Sequence, residues 1–439
     1  MLASLSLKGY FYLPENPNEQ IAGILKFNQG EGIILDLFGQ FSNFNNPSST
    51  ENNIVLGLSS DGKKITLLNC YIHSKHMSFP GLPMSELSVM YLFIGHHFRY
   101  PNDIVFDYCS IEYLDFNLWL GISGFSVPEF DKENNEITLR YKQPDKIISK
   151  LIDELEIVIE FNYSRPGNYF APINQATIEQ NPTLIFRPKE KASFLHFLEK
   201  YLVFTKFLAL CYFSYPQIKS VWFSMEAKKE DEFDTGYNNV ELFYNGGIDP
   251  IKYRKHDHKH NFLLQYKDCE MNFLPIMQNW YILTKKIEAS IDILTESFMN
   301  RGSTAEFRFL SLVQSLENMH RRLGDNRKVT LKTRLSEIID SIPSEVKLAL
   351  LRNEGDFVNR VTLNRNFYTH YDEEKEKRAA TMGELYILSE KLKIVLVVYV
   401  LKELSFSGEQ IKQVIMTKGA FLFNHVIDTK LSETEYKDE

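Results

Sequence analysis

Short apolar runs separated by turn residues characterise the first 190 residues of the chain. Residues 54–58 and 64–68 are two such runs, and they flank a Ser-Ser-Asp-Gly segment; an Asp-Gly between apolar runs is a strong signal for a β-hairpin. Because no long amphipathic helix separates the runs, the pattern predicts an antiparallel β-rich domain, either a sandwich or a barrel. The other predicted strands are 32–38, 90–94, 104–108, 116–121, 136–141 and 155–161.

Residues 191–300 combine helical and irregular patterns. Apolar residues recur at helical spacing in 192–212 and again in 273–293. The stretch between them, 226–260, is polar and carries acidic, glycine and histidine clusters, which predicts loops with at most one hairpin.

From Ser303 onwards the pattern is helical. Ser303-Thr304-Ala305-Glu306 is a capping-box pattern, and it predicts a helix that ends near Leu323. Thr381-Met382-Gly383-Glu384 is a second capping-box pattern, before a helix that runs to about residue 404. Further helices are predicted at 330–339, 344–367 and 408–416, and the polar tail after Lys430 is expected to fray.

These patterns predict an α+β multidomain protein with three regions. Residues 1–190 form a β-rich N-terminal sensing or regulatory domain, 191–300 a mixed connecting region, and 301–439 an all-α helical bundle. The length of 439 residues agrees with this division, because it is too great for one compact core.

Composition places the chain among soluble globular proteins, since 44% of its residues are hydrophobic and 24% are charged. No apolar stretch reaches the roughly 18 residues of a membrane span, and the start of the chain lacks a signal-peptide pattern, so we expect no membrane association. The four cysteines are far apart without Cys-x-x-Cys spacing, which predicts neither disulfides nor a zinc site. A cytoplasmic location fits these features best.

Charge is unevenly distributed along the chain. The net charge is −8, which argues against a protein covered in positive charge for non-specific nucleic-acid binding. Residues 301–380, however, contain 15 Lys and Arg residues against 12 Asp and Glu residues. The helical region is therefore the expected place for a phosphate-bearing ligand, with ordinary helix-surface charge as the alternative.

The segment Arg365-Asn366-Phe367-Tyr368-Thr369-His370 carries the residue types of phosphodiester chemistry. Arginine is a permanent cation whose planar fork matches a phosphate, and histidine moves protons near neutral pH. On a regular helix Arg365 and His370 lie about 140° apart, so both reach one phosphate only if the helix ends or bends between them. The polar run 371–377 is expected to supply that end. The alternative is a surface arginine beside a helix-terminal histidine, because this spacing also arises by chance.

Two polar residues fall on or beside the apolar stripe of the predicted helix after Ser303. On a helical wheel His320 lies inside that stripe and Glu317 lies at its edge. A polar group on a core-facing surface must find a partner, or it costs roughly 1–3 kcal/mol. We expect both residues to line the pocket of Arg365; alternatively, Glu317 forms a buried ion pair with Arg365 that fixes the register of the helices. The stripe consists of Phe309, Leu312, Val313, Leu316, Met319 and Leu323.

Other candidates for chemistry are less specific. His256-Asp257-His258-Lys259-His260 offers three imidazoles at alternate positions, which on a strand would share one face as metal ligands. On a polar, lysine-rich loop such histidines are more often solvated. The sequence contains no glycine-rich phosphate loop, no Gly-x-Ser-x-Gly and no His-Glu-x-x-His.

Several segments together resemble a known family. A helical arrangement in which the penultimate long helix ends in Arg-Asn-x-x-x-His resembles HEPN domains, the helical ribonucleases of prokaryotic toxins and defence systems. The resemblance is closer still to the ApeA family of anti-phage defence proteins. The segments that carry it are 9–14, 93–98, 118–125, 317–321 and 365–371.

The resemblance implies cleavage of RNA in the host cell without a metal or other cofactor, with tRNA as the expected substrate. His370 would act as general base on the ribose 2′-hydroxyl or as general acid to the leaving 5′-oxygen. Arg365 would hold the scissile phosphate, and Asn366 would orient the phosphate or His370. The expected supporting or substrate-binding residues are Glu317, His320 and Tyr371.

One histidine does not easily serve as base and acid at once, and HEPN ribonucleases usually solve this by apposing two motifs across a dimer. We therefore expect at least a homodimer through the helical domain. We also expect the nuclease to be inactive until a phage-derived trigger acts. The alternative is a non-catalytic HEPN domain that only dimerises or docks a partner in a defence or toxin system.

Overall fold

The computed structural model describes residues 4–42, 44, 53–77, 79–151, 154–164, 176–226, 237–244, 256, 258–299, 303–324, 328–352, 355–371, 373–423 and 425–427. The chain divides into two compact units. The β unit comprises Met1–Asn117, Ile122–Tyr201 and Gln217–Tyr253. The helical unit comprises Leu118–Gly121, Leu202–Pro216 and Arg254–Glu439.

Six antiparallel strands close into a barrel in the β unit. They are β1 (Leu5–Leu13), β2 (Asn16–Asn28), β3 (Gly32–Leu37), β4 (Ile54–Ser59), β5 (Lys64–His76) and β6 (Met84–Ile94). Each strand pairs with two neighbours in the circular order β1-β2-β3-β6-β5-β4. The predicted Asp-Gly hairpin is confirmed as β4 and β5, with Gly62 at a φ of +81°, a conformation that glycine adopts without strain. Of the two predicted architectures, the barrel is the one formed.

Alternate side chains along the strands fill the barrel. Phe11, Leu25, Leu35, Val55 and Leu67 are fully buried there. This is the period-two alternation that distinguishes a strand with one face in a core. The core cluster also takes in Phe243, from a strand outside the barrel.

The sheet extends beyond the barrel from β6. The remaining strands are β7 (Val105–Phe106), β8 (Tyr108–Tyr113), β9 (Glu129–Asp131), β10 (Glu136–Thr138), β11 (Ile147–Lys150), β12 (Glu156–Tyr163), β13 (Gln180–Arg187), β14 (Ala192–Ser193), β15 (Ile218–Glu226) and β16 (Tyr237–Tyr244). The order outward from β6 is β16, β15, β8, β13, β12 and β11, while β9–β10 and β7–β14 form separate small pairs. Strands therefore recur as far as Tyr244, beyond the last strand predicted by its bounds. The antiparallel pair β15–β16 reaches into the stretch 226–260, where at most one hairpin was expected.

One predicted strand is wrong. Residues 116–121 contain a short helix, α1 (Phe116–Leu120), instead of a strand. Phe116, Trp119 and Leu120 are all buried, and their spacing of three and four residues puts them on one helical face. A short apolar run does not distinguish a buried strand from a buried helix, which explains the error.

Helices make up most of the described part of the helical unit. They are α2 (Phe194–Tyr212), which begins in the β unit, α3 (Tyr266–Cys269), α4 (Phe273–Ser297), α5 (Ala305–Leu323), α6 (Leu331–Asp340), α7 (Ser344–Leu351), α8 (Phe357–His370), α9 (Glu373–Glu376), α10 (Met382–Glu403), α11 (Gly408–Gln413) and α12 (Gly419–Leu422). A π-helical turn, Val414–Lys418, separates α11 from α12. Among the residues that the structure describes, no helix is both long and apolar enough to cross a membrane.

The helix boundaries confirm the predicted bundle with three changes. Thr304, and not Ser303, caps α5, because its side chain accepts the backbone N–H of Phe307. The helix predicted at 344–367 is two helices: Gly355 has a φ of +56°, and the Asp356 side chain caps α8. The helix predicted at 408–416 gives way to the π-helical turn after α11. The tail after Lys430 lies outside the described residues.

Helix α10 is the central element of the helical unit. Its buried residues run almost without interruption from Leu388 to Leu401, and its predicted capping box forms, with Thr381 and Glu384 bonding each other's backbone N–H groups. Two of the buried charges on α10 are paired with each other, since Lys393 Nζ lies 2.6 Å from Glu390 Oε2. Burial lowers the pKa of the Lys393 amine, and the neighbouring carboxylate opposes that shift.

Candidate active site

Two side chains of α8 hold the backbone just before α10. Asn364 is 1% exposed, and its Oδ1 accepts a hydrogen bond from the backbone N–H of Ala380 at 2.6 Å. The hydroxyl of Tyr368 donates to the carbonyl of Ala380 at 2.7 Å. Both backbone polar groups of Ala380 are thus satisfied by α8, which fixes the part of the helix that carries Arg365 and His370.

Removing the Asn364 side chain should destabilise the helical unit. Asn364→Ala leaves the buried N–H of Ala380 without its acceptor, at a cost of about 1–3 kcal/mol. We expect a lower midpoint of chemical denaturation than for the wild type. Asn366→Ala is the matched control, because Asn366 is only half-buried and accepts from a side chain. Equal stability of Asn364→Ala and the wild type would show that the contact with Ala380 is not structural.

Helix α8 is continuous through His370, the last residue of the predicted motif. Helix α8 includes both Arg365 and His370, and it ends only at Tyr371, whose φ of +50° is left-handed. The expectation that the helix ends between Arg365 and His370 is therefore wrong. The two residues remain about 140° apart around the helix axis, as five residues of regular helix require.

The guanidinium of Arg365 extends toward the neighbouring face of α8. Its Nη1 donates to Asn366 Oδ1 at 3.2 Å. Asn366 and His370 are four residues apart and so occupy the same face. The hydrogen bond therefore brings the cation of Arg365 toward the face that presents the exposed imidazole of His370.

Arg365 also lines a cavity of about 720 Å³ between α4, α5 and α8, which we call the basic cavity. Thr369, one turn after Arg365, lines it too, whereas His370 and His320 are not among its lining residues. Five basic side chains line it against two carboxylates. The basic residues are Lys285, Lys286, Arg321, Arg322 and Arg365, and the acidic ones are Glu288 and Glu317.

Glu317 lines the cavity of Arg365, but its partner is a different arginine. Its Oε1 accepts a hydrogen bond from Arg321 Nη2 at 2.8 Å, one turn along the same helix. The two residues Glu317 and Arg365 form no ion pair with each other in the described structure. The alternative of a register-fixing Glu317–Arg365 pair is therefore not realised.

His320 faces α6 instead of the cavity, contrary to expectation. Its Nδ1 lies 3.2 Å from Arg334 Nη1, and its Nε2 lies 2.8 Å from Glu337 Oε2. A guanidinium only donates, so Nδ1 must accept, and the ring proton is on Nε2, where it is donated to Glu337. The apolar stripe indicated correctly that His320 points inward, but its partners lie on the neighbouring helix.

The described histidines of the 256–260 cluster and the cysteines show no arrangement typical of a catalytic centre. His256 is buried, with 2% of its surface exposed. Its Nε2 lies 3.3 Å from Ser214 Oγ and 3.1 Å from the carbonyl oxygen of Tyr212. No group of three or more His, Cys, Asp or Glu residues in that part could hold a metal. Burial raises the pKa of the Cys269 thiol to about 12, so this thiol is not a ready nucleophile.

Comparisons with known families agree with the fold. A family model described as ApeA N-terminal domain 1 matches residues 6–280, and one described as Apea-like HEPN matches residues 310–410. Neither a search of curated proteins nor a search of solved structures finds a match. The first model alone covers more than half of the chain, and the second includes all of α8. The resemblance seen in the sequence is confirmed: the chain belongs to the ApeA family, with a C-terminal HEPN domain.

Proposed function

We propose that this chain is a metal-independent endoribonuclease of anti-phage defence that cleaves host tRNA in the cytoplasm. HEPN domains are typically ribonucleases, and an ApeA-like HEPN domain fits a defence-associated protein. The observation that carries the proposal is the position of Arg365. Its side chain lines the basic cavity and bonds Asn366, on the helix whose last residue is His370.

In the proposed reaction the ribose 2′-hydroxyl attacks the adjacent phosphorus, and the bond from phosphorus to the 5′-oxygen breaks. One His370 removes the proton from the 2′-hydroxyl, and a second His370 returns a proton to the 5′-oxygen, contributions of roughly 10² to 10⁴ in rate. Arg365 stabilises the charge that develops on the phosphate, worth roughly 10² to 10³. Asn366 orients the Arg365 guanidinium through the hydrogen bond between them.

The two histidines come from two copies of the chain in this proposal. Helix α8 is regular through His370, so one copy presents a single imidazole on the face of Asn366. A homodimer through the HEPN domain, with the two α8 helices facing each other, supplies the base and the acid together. The exposure of His370 supports this arrangement, because the imidazole is available to a second copy.

The supporting residues have different proposed roles. Tyr371 leaves 63% of its side chain exposed next to His370, and its ring offers a stacking surface for a base beside the scissile phosphate. Glu317 orders the guanidinium of Arg321 at the basic cavity. His320 keeps a structural role, because it joins α5 to α6.

A nuclease that attacks host RNA must be restrained before infection. We assign that restraint to residues 1 to about 300, which make up most of the chain, and its release to a phage-derived trigger that binds the active state more tightly. A differential affinity of about 5.5 kcal/mol would move a two-state equilibrium from 1:99 to 99:1.

The test of the proposed function is cleavage of total tRNA by the purified protein with and without EDTA. Because the described residues near α8 include no cluster of metal-ligating side chains, we expect cleavage to persist in EDTA. The products should end in a 2′,3′-cyclic phosphate or the 3′-phosphate derived from it, as detected by end-specific ligation. Strict dependence on Mg²⁺ with 5′-phosphate ends would reject the mechanism, and intact tRNA under all conditions, trigger included, would favour a non-catalytic HEPN domain.

A further inference from the structure

The basic cavity is more extensive than the motif alone requires. It lies where α4 departs from helical geometry, at Ile287, whose φ of −131° and ψ of 36° interrupt the helix. This interruption allows residues from 285 to 290 to line the cavity together, although consecutive residues of a regular helix point in different directions. A volume of about 720 Å³ is far more than one phosphate group fills.

Within the part of the chain that the structure describes, most of its cations have no carboxylate partner. Among the described residues, Lys285, Lys286 and Arg322 have no carboxylate at ion-pair distance. Arg321 is paired with Glu317 at 2.8 Å, which leaves Glu288 as the other acidic group of the lining. Many other lysines of the chain do have carboxylate partners; for example, Nζ of Lys206 on α2 lies 2.5 Å from Oδ1 of Asp292 on α4. Unpaired cations collected in one concave site are the arrangement that attracts a polyanion.

Hydrogen bonds join the two helices, α4 and α5, that form the wall of the cavity. Ser290 of α4 and Ser315 of α5 exchange hydrogen bonds, each hydroxyl donating to the other's carbonyl at 3.1 and 3.2 Å. Asn318 Nδ2 donates to Ser290 Oγ at 2.8 Å. Small side chains let the two helices approach closely, and these hydrogen bonds join them next to the basic residues of the cavity.

We propose that the basic cavity binds the RNA strand on one side of the scissile phosphate, with Lys285, Lys286 and Arg322 contacting backbone phosphates. The proposal rests on the proposed function. Arg365 and Thr369 line the cavity from α8, so a strand whose scissile phosphate is held by Arg365 continues directly into it. Phosphate contacts of this kind position a strand and do not read its bases. Lys285 and Lys286 lie between the two matched family segments, 6–280 and 310–410.

The test measures binding of an inert 2′-O-methyl RNA oligonucleotide to the full chain by fluorescence anisotropy, over a series of salt concentrations. For Lys285→Ala/Lys286→Ala we expect Kd to rise about tenfold near 0.1 M salt. The slope of log Kd against log salt should fall by about 1.4, which corresponds to two lost phosphate contacts on a single strand. The matched control, Lys328→Ala/Lys332→Ala, removes the same charge from exposed positions outside the cavity and should change both quantities little.

Binding of an uncleavable RNA separates this proposal from the proposed function. If the Lys285/Lys286 variant keeps the wild-type Kd and salt slope, the cavity is not an RNA site. The same holds if the control variant loses as much RNA affinity as the Lys285/Lys286 variant. Either result applies whether or not the protein cleaves RNA. Charge reversal, Lys285→Glu/Lys286→Glu, should weaken binding further than alanine does. Tighter binding of a nucleoside triphosphate than of RNA, lost in the same variant, would overturn the proposal in favour of a small-molecule site.

Discussion

Alanine at His370 should lower the rate of RNA cleavage by roughly 10² to 10⁴ and leave the fold intact. The imidazole is exposed at the end of α8, so its removal creates no cavity in the core. The measurement is the initial rate of tRNA cleavage, with thermal unfolding of the same preparation as the control for folding. His76→Ala, at an exposed position in the barrel, is the matched substitution and should cleave like the wild type.

Arg365→Ala should lower the rate by roughly 10² to 10³, because the charge on the phosphate loses its main stabilising cation. Its side chain bonds only Asn366 among the described side chains, so the effect on stability should be small. Arg378→Ala is the matched control, since it removes an exposed arginine close in sequence but outside the cavity. Near wild-type cleavage by either the His370 or the Arg365 variant would show that the site is elsewhere.

When wild-type and His370→Ala subunits are mixed, activity should fall more steeply than the fraction of wild-type subunits does. If each active site needs His370 from both copies, activity follows the square of the wild-type fraction. With one-fifth wild-type subunits it should fall to about 4% of the full value. The measurement uses subunits carrying two different tags, co-expressed at several ratios, with the subunit ratio determined for each purified sample.

A linear dependence, about 20% of activity at the same ratio, would contradict the paired-motif proposal. It would mean that one copy of the chain holds a complete site, in spite of the angle between Arg365 and His370 around α8. His76→Ala subunits in place of His370→Ala should leave activity independent of the ratio, which controls for effects of co-expression.

Local signals in the sequence were sufficient for the barrel hairpin and for most of the bundle. Asp61-Gly62 marks the turn between β4 and β5 because the turn needs a positive φ, a purely local requirement. The capping box at Thr381 marks the start of α10 for the same kind of reason. Residues 116–121 were assigned wrongly because a short apolar run suits either a strand or a helix once it is buried.

The break between α7 and α8 shows the limit of periodicity. Apolar residues continue at helical spacing across it, while Gly355 and Asp356 supply a positive φ and a new cap. These two residue types are recognised signals for a helix end and a helix start, so the break was predictable in principle. The buried Glu390–Lys393 pair was not predictable, because charged residues on a helix usually indicate a solvent-facing surface.

For the site, the sequence indicated residue types but not their neighbours. Arg365 and Glu317 were expected in one pocket, and both line the basic cavity. His320 was expected there too, yet a helical wheel gives only the direction of a side chain and not which helix packs against it. Lys285 and Lys286 were missed because α4 becomes part of the cavity only through its packing against α5. The structural role of Asn364 could have been suspected from the sequence, since an asparagine inside a helix usually has a specific hydrogen-bond partner.

The central claim, RNA cleavage by the paired motif as the basis of defence, is tested most directly by sequencing RNA ends in phage-infected cells. Cells that express the wild-type chain should accumulate tRNA fragments with 2′,3′-cyclic phosphate ends after infection. Cells that express His370→Ala at the same level should keep intact tRNA and lose protection. Protection by His370→Ala equal to that of the wild type, or protection by the wild type with all RNA intact, would contradict the claim.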